Sequence, residues 1–235
     1  MAAFLVLTLA IILPQMLVLA FHKGRGSYII PKFWHRTVCL IFGIQYKMIG
    51  TPYTSSQTLY MSNHLSYLDI PLIGSLLVAS FVAKEDVAGW AGFGFLAKLQ
   101  QTAFISRARG QAKAGKHLLE NMMKDGKSLI LFPEGTSTDG RSVYPFKSTL
   151  FSIAQNSNNP DLMIQPMTLR MEKVDGHDIK TQDDRDLYSW HINMDTELPV
   201  HLWRFACTSG ALISLIFHSP IKASDYEDRK TLAKL

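Results

Sequence analysis

The sequence predicts an α/β fold with a mostly parallel sheet flanked by helices, together with an N-terminal membrane-associated helical segment. From about residue 50 onward, short runs rich in β-branched and aromatic residues alternate with helical stretches. This alternation is typical of a sheet covered by helices on its faces. Before that point the chain opens with 21 residues that carry no charged side chain, which indicates association with lipid.

The opening run is near the length of about 20 residues that a helix needs to cross a bilayer. Only Pro14 and Gln15 interrupt it, and the first basic residues, Lys23 and Arg25, follow it. Positive charge after the segment predicts that the remaining chain is cytoplasmic, with the active site facing the cytoplasm at the inner membrane. The next stretch, residues 28–46, mixes aromatic and basic residues with aliphatic ones and predicts an interfacial or re-entrant helix.

These two segments define a first region, residues 1–48, of membrane-anchoring helices, and residues 49–235 then form the second domain. The alternative is that both segments are core helices of a large soluble fold. The whole chain is 47% hydrophobic and only 18% charged, which is apolar for a purely soluble protein. The composition therefore favours the membrane.

A net charge of +5 and a pI near 9.1 indicate an acidic partner, such as a membrane surface or a phosphorylated substrate. The basic residues form no dense stripe with aromatic residues between them, so we expect no nucleic-acid partner. Cys39 and Cys207 are too few and too far apart for a zinc site or a disulfide framework. We therefore expect no metal, and two unpaired thiols suit a reducing cytosol.

Six short runs in the second region predict strands. They are residues 58–63, 80–84, 102–106, 128–132, 162–169 and 212–217. Residues 110–126 predict a helix that closes at Gly126, and the polar, acidic stretch 172–188 predicts an exposed loop. Ligands of open α/β sheets gather outside the carboxyl ends of the strands, so the residues at those ends are the ones to compare.

Four strand ends carry residues suited to chemistry. They read SNHLSYLD from Ser62, FISRARG from Phe104, FPEGTST from Phe132 and IQPMTLR from Ile164. The first supplies a base with a carboxylate, the second a pair of arginines, the third a glutamate before a Gly-Thr turn, and the fourth a proline within a strand. Together they predict a site for an anionic substrate beside a general base.

His64 and Asp69 are the pair that predicts catalysis. An alcohol is a poor nucleophile at neutral pH, and a positioned base accelerates its attack by about 10²–10⁴-fold. A carboxylate can hold the imidazole in one tautomer and stabilise the imidazolium as it forms. Pro71 suits the first turn of a helix, so we expect His64 to precede a helix N-terminus. The alternative is that the pair only caps that helix.

The order N-H-x4-D, F-I-x-R, F-P-E-G-T and a strand with an internal proline, over about residues 55 to 170, resembles the glycerolipid acyltransferase family. The resemblance implies an enzyme that moves an acyl group from a thioester of coenzyme A or acyl carrier protein to a lyso-lipid hydroxyl at the bilayer. It implies no cofactor, and 1-acylglycerol-3-phosphate is the first acceptor expected. Carried over to this sequence, it implies that His64 is the base and Asp69 its partner. The substrate-binding residues implied are Asn63, Arg107, Glu134, Gly135, Thr136 and Lys147, and the block around Pro166 is expected to shape the acyl-donor side.

One departure from the family pattern affects the acceptor. The family often has an arginine after E-G-T, whereas Ser137 stands there in this chain. Arg141 or Lys147 can supply the missing charge, and otherwise a zwitterionic acceptor such as a lyso-ornithine lipid competes. The apolar stretch 89–99 either lines an acyl tunnel or belongs to the ordinary core.

Two other classes of protein remain open at this stage. A Ser-His-Asp lipid hydrolase could use Ser62 or Ser66, although the chain has no G-x-S-x-G elbow. A noncatalytic, membrane-anchored lipid-binding protein would need neither the base nor its carboxylate.

Overall fold

The N-terminal region is a pair of helices packed on the rest of the chain. The structure is a computed structural model that describes residues 1–22, 24–106, 112–155, 159–226 and 228–234. Helix α1 (Ala2–Phe21) and helix α2 (Ile29–Ile41) are joined through a 3-10 turn, and they contact each other. α1 is the one helix of the described residues that is long and apolar enough to cross a membrane.

The other elements form a mixed sheet with helices around it. The strands are β1 (Ile44–Ile49), β2 (Thr58–Ser62), β3 (Ser80–Lys84), β4 (Ala103–Ile105), β5 (Leu129–Leu131), β6 (Met163–Val174), β7 (His177–Asp178), β8 (Ala211–Phe217) and β9 (Ile221–Lys222). The helices are α3 (Asp69–Gly74), α4 (Phe93–Leu99), α5 (Ala112–Lys124), α6 (Ser152–Gln155), α7 (Gln182–Tyr188), α8 (Leu198–Ala206) and α9 (Arg229–Leu232).

The sheet runs in the order β1-β8-β6-β2-β5-β3-β4, and β7 and β9 pair with the two ends of β6. The pairs β1–β8, β6–β2, β2–β5, β5–β3 and β3–β4 are parallel, while β6 and β8 are antiparallel. The prediction of a mostly parallel sheet flanked by helices is confirmed.

Strand β2 lies at the centre of this sheet and is buried on both faces. Its side chains alternate, so that Tyr60 packs in one hydrophobic cluster while Leu59 and Met61 pack in the other. A parallel strand covered on both faces reads as a continuous apolar run, which is why this strand was predictable. The carboxyl end of β2 is therefore fixed within the sheet, and His64 is the second residue after it.

All six predicted strands are present, with ends that differ by a few residues. β1 was missed, because the prediction extended the second helix to residue 46, whereas α2 ends at Ile41 and β1 begins at Ile44. The sheet thus begins before residue 49, and the division into two regions stays a prediction.

The stretch 172–188 was wrongly predicted as a loop. β6 continues to Val174, and α7 begins after a reciprocal capping box between Thr181 and Asp184. A capping box starts a helix within a polar sequence, because the two residues satisfy each other's backbone N–H groups.

Candidate active site

His64 lies where two neighbouring parallel strands end. It follows β2, and Glu134 follows β5, the strand beside β2 in the sheet. His64 accordingly meets the Glu134 loop, whose Thr138 donates its backbone N–H to the His64 carbonyl at 2.9 Å. The structure thus brings together the first and third of the four strand-end blocks identified in the sequence, SNHLSYLD and FPEGTST.

The histidine and the carboxylate form a hydrogen-bonded pair. His64 Nδ1 lies 2.8 Å from Asp69 Oδ2, and a carboxylate accepts, so Nδ1 carries the hydrogen and Nε2 keeps its lone pair. The imidazole stacks on the ring of Phe132, with centroids 3.9 Å apart and planes 15° apart. His64 also lines the main cavity, so its geometry suits a base that receives a proton there.

Asp69 is fully buried and begins helix α3. Its Oδ2 also accepts the backbone N–H groups of Leu65 at 2.7 Å and Ser66 at 3.0 Å. Pro71 lies in the first turn of α3, as predicted. The loop between the two residues therefore closes on the carboxylate, which fixes the histidine relative to the helix.

Glu134 holds the same loop from the other side. It is 2% exposed, and its two oxygens accept the backbone N–H groups of His64 at 2.8 Å and Tyr144 at 2.7 Å. Burial raises the pKa of this carboxyl, and the two N–H donors oppose that shift. The sequence predicted a substrate contact for Glu134, whereas the structure engages both oxygens with backbone, so we assign the residue to positioning.

Asn63 likewise makes structural contacts. Its side-chain amide donates to the carbonyl of Leu169 at 2.9 Å and accepts the Leu169 N–H at 2.7 Å. This exchange joins the end of β2 to β6 beside it. The predicted substrate-binding role of Asn63 gains no support from this geometry, because both polar atoms face backbone.

The turn after Glu134 faces the cavity. Gly135, Thr136 and Ser137 line it, and so does Lys147. Gly135 has φ +71°, a conformation that glycine adopts without strain. Arg107, the predicted anion-binding arginine, lies outside the described residues.

Of the two cations considered in place of the family's arginine, only Lys147 lines the cavity. Arg141 is exposed, lies 3.8 Å from the Asp139 carboxylate and does not reach the cavity wall. The hydroxyl of Ser137 donates to the carbonyl of Trp190 at 2.5 Å. The position after E-G-T thus supplies a neutral side chain tied to the neighbouring loop.

The cavity beside His64 has a volume of about 980 Å³ and a predominantly apolar wall. It extends from His64 to the N-terminal helices, where Phe4 and Ile11 of α1 and Trp34 of α2 line it. Phe93 and Leu96 of α4 also line it, so the stretch 89–99 contributes to the cavity. A volume of this size and composition suits a long acyl chain.

Gln15 closes the helix end of the cavity. This residue is fully buried in α1, and its amide donates to the carbonyls of Ser27 at 3.0 Å and Leu99 at 2.9 Å. Gln15, the polar residue within the apolar run, thus joins α1 by hydrogen bonds to the turn before α2 and to the end of α4.

The two serines considered for a hydrolase are both fully buried. Neither Ser62 nor Ser66 lines the cavity, and in the part of the chain that the structure describes neither hydroxyl bonds to His64. A Ser-His-Asp triad is therefore not assembled here. Among the described residues no group of three or more His, Cys, Asp or Glu side chains is arranged to hold a metal ion.

Sequence reasoning gave no role to two residues that touch the pair. Phe132, which stacks on His64, was quoted only as part of a strand end, although its place directly after β5 was the available signal. Tyr188 donates its hydroxyl to Asp69 Oδ1 at 3.0 Å. It lies 119 residues further along the chain, and nothing in the local sequence indicated this contact.

Comparison with known proteins agrees with this geometry. Residues 45–170 match the protein-family model described as Acyltransferase. The chain is 32% identical to a lyso-ornithine lipid O-acyltransferase of Brucella abortus (strain 2308), over 99% of this chain and 88% of that protein. It is 27% identical to a 1-acyl-sn-glycerol-3-phosphate acyltransferase of Neisseria gonorrhoeae, over 74% of this chain and 64% of that protein.

Among solved structures, the chain is similar to the crystal structure of the 1-acyl-sn-glycerophosphate (LPA) acyltransferase, PlsC, from Thermotoga maritima. The TM-score is 0.67 at 17% sequence identity, covering 99% of this chain and 91% of the other. At this identity the likeness concerns the fold.

Proposed function

This chain belongs to the acyltransferase family, and we propose that it transfers a fatty acyl group from an acyl thioester to the free hydroxyl of a lyso-lipid. The observation that carries the proposal is the 2.8 Å contact between His64 Nδ1 and Asp69 Oδ2 in the wall of the large apolar cavity. This contact supports the proposal, because a lipid hydroxyl and an acyl chain can meet in that cavity beside His64.

The proposed reaction is a direct transfer. Nε2 of His64 takes the proton of the acceptor hydroxyl as that oxygen bonds to the thioester carbonyl carbon. The tetrahedral intermediate then collapses, the carbon–sulfur bond breaks, and the imidazolium returns the proton to the leaving thiolate. Asp69 stabilises the imidazolium between the two steps. The products are an ester and a free thiol, and no acyl group is attached to the protein.

We propose a lyso-ornithine lipid as the first acceptor. Ser137 supports it, because a neutral side chain occupies the position of the arginine that suits a phosphate monoester. The similarity to the lyso-ornithine lipid O-acyltransferase, which spans 99% of this chain, points the same way.

A second acceptor, 1-acylglycerol-3-phosphate, is supported by Lys147 in the cavity wall and by similarity to the acyltransferases that act on it. The sequence alone favoured this acceptor. The thioester can be carried by coenzyme A or by acyl carrier protein.

A panel assay distinguishes the acceptors. One acyl thioester is offered with lyso-ornithine lipid or with 1-acylglycerol-3-phosphate, and the lipid product is identified by mass spectrometry. We expect kcat/KM to be at least about tenfold higher for the ornithine lipid. The phosphate acceptor lacks the charged contact that an arginine at position 137 would make, and one such contact corresponds to that factor. A preference for the phosphate acceptor would reverse the assignment.

Ser137→Arg sharpens the same assay. The added guanidinium should raise transfer to the phosphate acceptor, whereas Ser137→Ala, which removes only the hydroxyl, should not. If both variants keep the original preference, position 137 does not select the head group.

We also propose that α1 and α2 insert together into one membrane leaflet. α1 exposes a row of large apolar side chains: Leu5, Val6, Leu9, Leu13 and Leu17. Its other face packs on α2 and α4, which favours a helix lying in the interface over one that crosses the bilayer alone. The inner membrane with a cytoplasmic active site stays the predicted location.

Vesicle flotation tests the insertion. Replacing Leu9, Leu13 and Leu17 by serine should release the protein from anionic vesicles while transfer to substrates in detergent micelles continues. Retention on vesicles at the original level would exclude α1 as the anchor.

A further inference from the structure

Tyr188 is the last residue of α7 and lies beyond residues 45–170, the part that matches the family model. Its side chain is fully buried, and its ring packs against Phe205 with centroids 5.9 Å apart. Packing accounts for the ring but not for the hydroxyl, because phenylalanine would fill nearly the same space. A buried hydroxyl is unfavourable unless it is hydrogen-bonded, and here its partner is Asp69.

The four donors to Asp69 are divided unequally between its two oxygens. Oδ2 accepts from Nδ1 of His64 and from the N–H groups of Leu65 and Ser66. Within the described residues, Oδ1 accepts only from Tyr188. Without that hydroxyl, Oδ1 of a fully buried carboxylate would have no donor, and Asp69 would be held through Oδ2 alone.

The phenol remains a donor over the range of any enzyme assay. Burial raises the pKa of Tyr188 well above its usual value, and the negative charge of Asp69 raises it further. Among the described residues, the other titratable groups that interact with Tyr188 or Asp69 are Cys39, His64, Tyr67 and Glu134. None of them carries a permanent positive charge, so the Tyr188 hydroxyl is the group that offsets charge on Oδ1.

We propose that Tyr188 is a positioning residue for acyl transfer, whose hydroxyl holds Asp69 in the orientation that presents Oδ2 to His64. The inference rests on the proposed function. Tyr188 does not touch the reacting atoms; it acts by fixing the carboxylate and by drawing charge from it. A carboxylate that loses this donor is more basic, and it holds a proton on His64 more strongly.

The test is Tyr188→Phe in the full-length protein, with Tyr28→Phe as the matched control. Tyr28 is also a buried tyrosine, and its hydroxyl bonds Ser80 away from the catalytic pair. Tyr188→Phe should lower kcat about tenfold with little change in KM, because a hydrogen bond to a charged group is lost. The acidic limb of its pH–rate profile should move to higher pH by about half a unit, and the control should show neither effect.

A double-mutant cycle separates positioning from general packing. In an Asp69→Asn background, Tyr188→Phe should have almost no further effect on kcat, because the charge that it offsets is gone. Additive losses in the double variant would overturn the proposal, as would an unchanged pH profile in Tyr188→Phe.

A second substitution keeps the proposal testable if the phenylalanine variant does not fold. Difluorotyrosine at position 188 keeps the ring and strengthens the donor, so the acidic limb should move to lower pH. A limb that stays in place or moves the other way would contradict the role. If the unaltered chain transfers no acyl group to any acceptor, the proposed function itself fails. If it does transfer and Tyr188→Phe behaves like the unaltered chain, only the role of Tyr188 fails.

Discussion

The two ends of the cavity are held together in opposite ways. At the His64 end, the carboxylates of Asp69 and Glu134 accept five hydrogen bonds from backbone N–H and imidazole groups within or beside one loop. At the helix end, the wall is mostly apolar, and one buried amide, Gln15, joins α1 to two backbone carbonyls. The difference indicates that changes at the first end affect the rate of reaction, whereas changes at the second affect the docking of the helices.

Asp69→Asn should have the largest effect among the supporting residues. The amide cannot stabilise an imidazolium, and its NH₂ group would face a hydrogen-bond donor, so we expect kcat to fall by about 10²–10³-fold. Stopped assays of thiol release with saturating thioester measure the change. Activity within a few-fold of the unaltered chain would show that the carboxylate does not assist the base.

The sequence was most informative about this end of the cavity. His64 and Asp69 lie five residues apart, and the strand-end blocks around them are local patterns, so their grouping was predictable. The role of Glu134 was not, because a carboxylate that binds backbone and one that binds substrate have the same sequence. The contacts of Gln15 with Leu99 and of Tyr188 with Asp69 join residues 84 and 119 positions apart, and such contacts depend on how the whole chain packs.

Glu134→Gln should have an intermediate effect. The glutamine oxygen can accept one backbone N–H, while its NH₂ group opposes the other. We expect a loss of about 1–3 kcal/mol in the free energy of unfolding and a fall of about tenfold in kcat. Thermal unfolding and thiol release from the same preparation measure both, and Glu85→Gln, at an exposed position, is the control. An unchanged pair of values would mean that the carboxylate does not hold the His64 loop.

Lowering the pH should reduce the free energy of unfolding of the unaltered chain, because a buried histidine lies at the helix end of the cavity. Burial lowers the pKa of His35 in α2 from 6.5 to about 4, so the unfolded chain binds a proton in that window while the folded chain does not. The contribution of His35 to the free energy of unfolding is therefore fully present above pH 6.5. It falls by about 3 kcal/mol as the pH drops towards 4. Burial lowers the pKa of His201 as well, which acts in the same direction.

Unfolding curves at pH 7 and pH 4.5 measure this loss. His35→Gln should show a smaller decrease between the two values, whereas His22→Gln, at an exposed position, should behave like the unaltered chain. Equal decreases in all three proteins would remove His35 as the cause.

Gln15→Leu should have the smallest effect, on stability rather than on chemistry. The change leaves the carbonyls of Ser27 and Leu99 without the amide donor, and we expect the free energy of unfolding to fall by about 1–2 kcal/mol. kcat in micelles should change less than twofold, since Gln15 does not contact His64 or Asp69. Leu13→Gln, on the exposed face of α1, is the matched control and should leave stability unchanged. A large loss of kcat in Gln15→Leu would show that the two ends are coupled.

A single-turnover experiment tests direct acyl transfer by His64. Stoichiometric acyl thioester is mixed with the unaltered protein or with His64→Ala, with and without lyso-lipid, and free thiol and protein mass are followed. Direct transfer predicts thiol release only when the acceptor is present, no acylated protein, and a rate at least about 10²-fold lower in His64→Ala, which should fold normally. A burst of thiol with acylated protein in the absence of acceptor, or turnover by His64→Ala at the original rate, would contradict it.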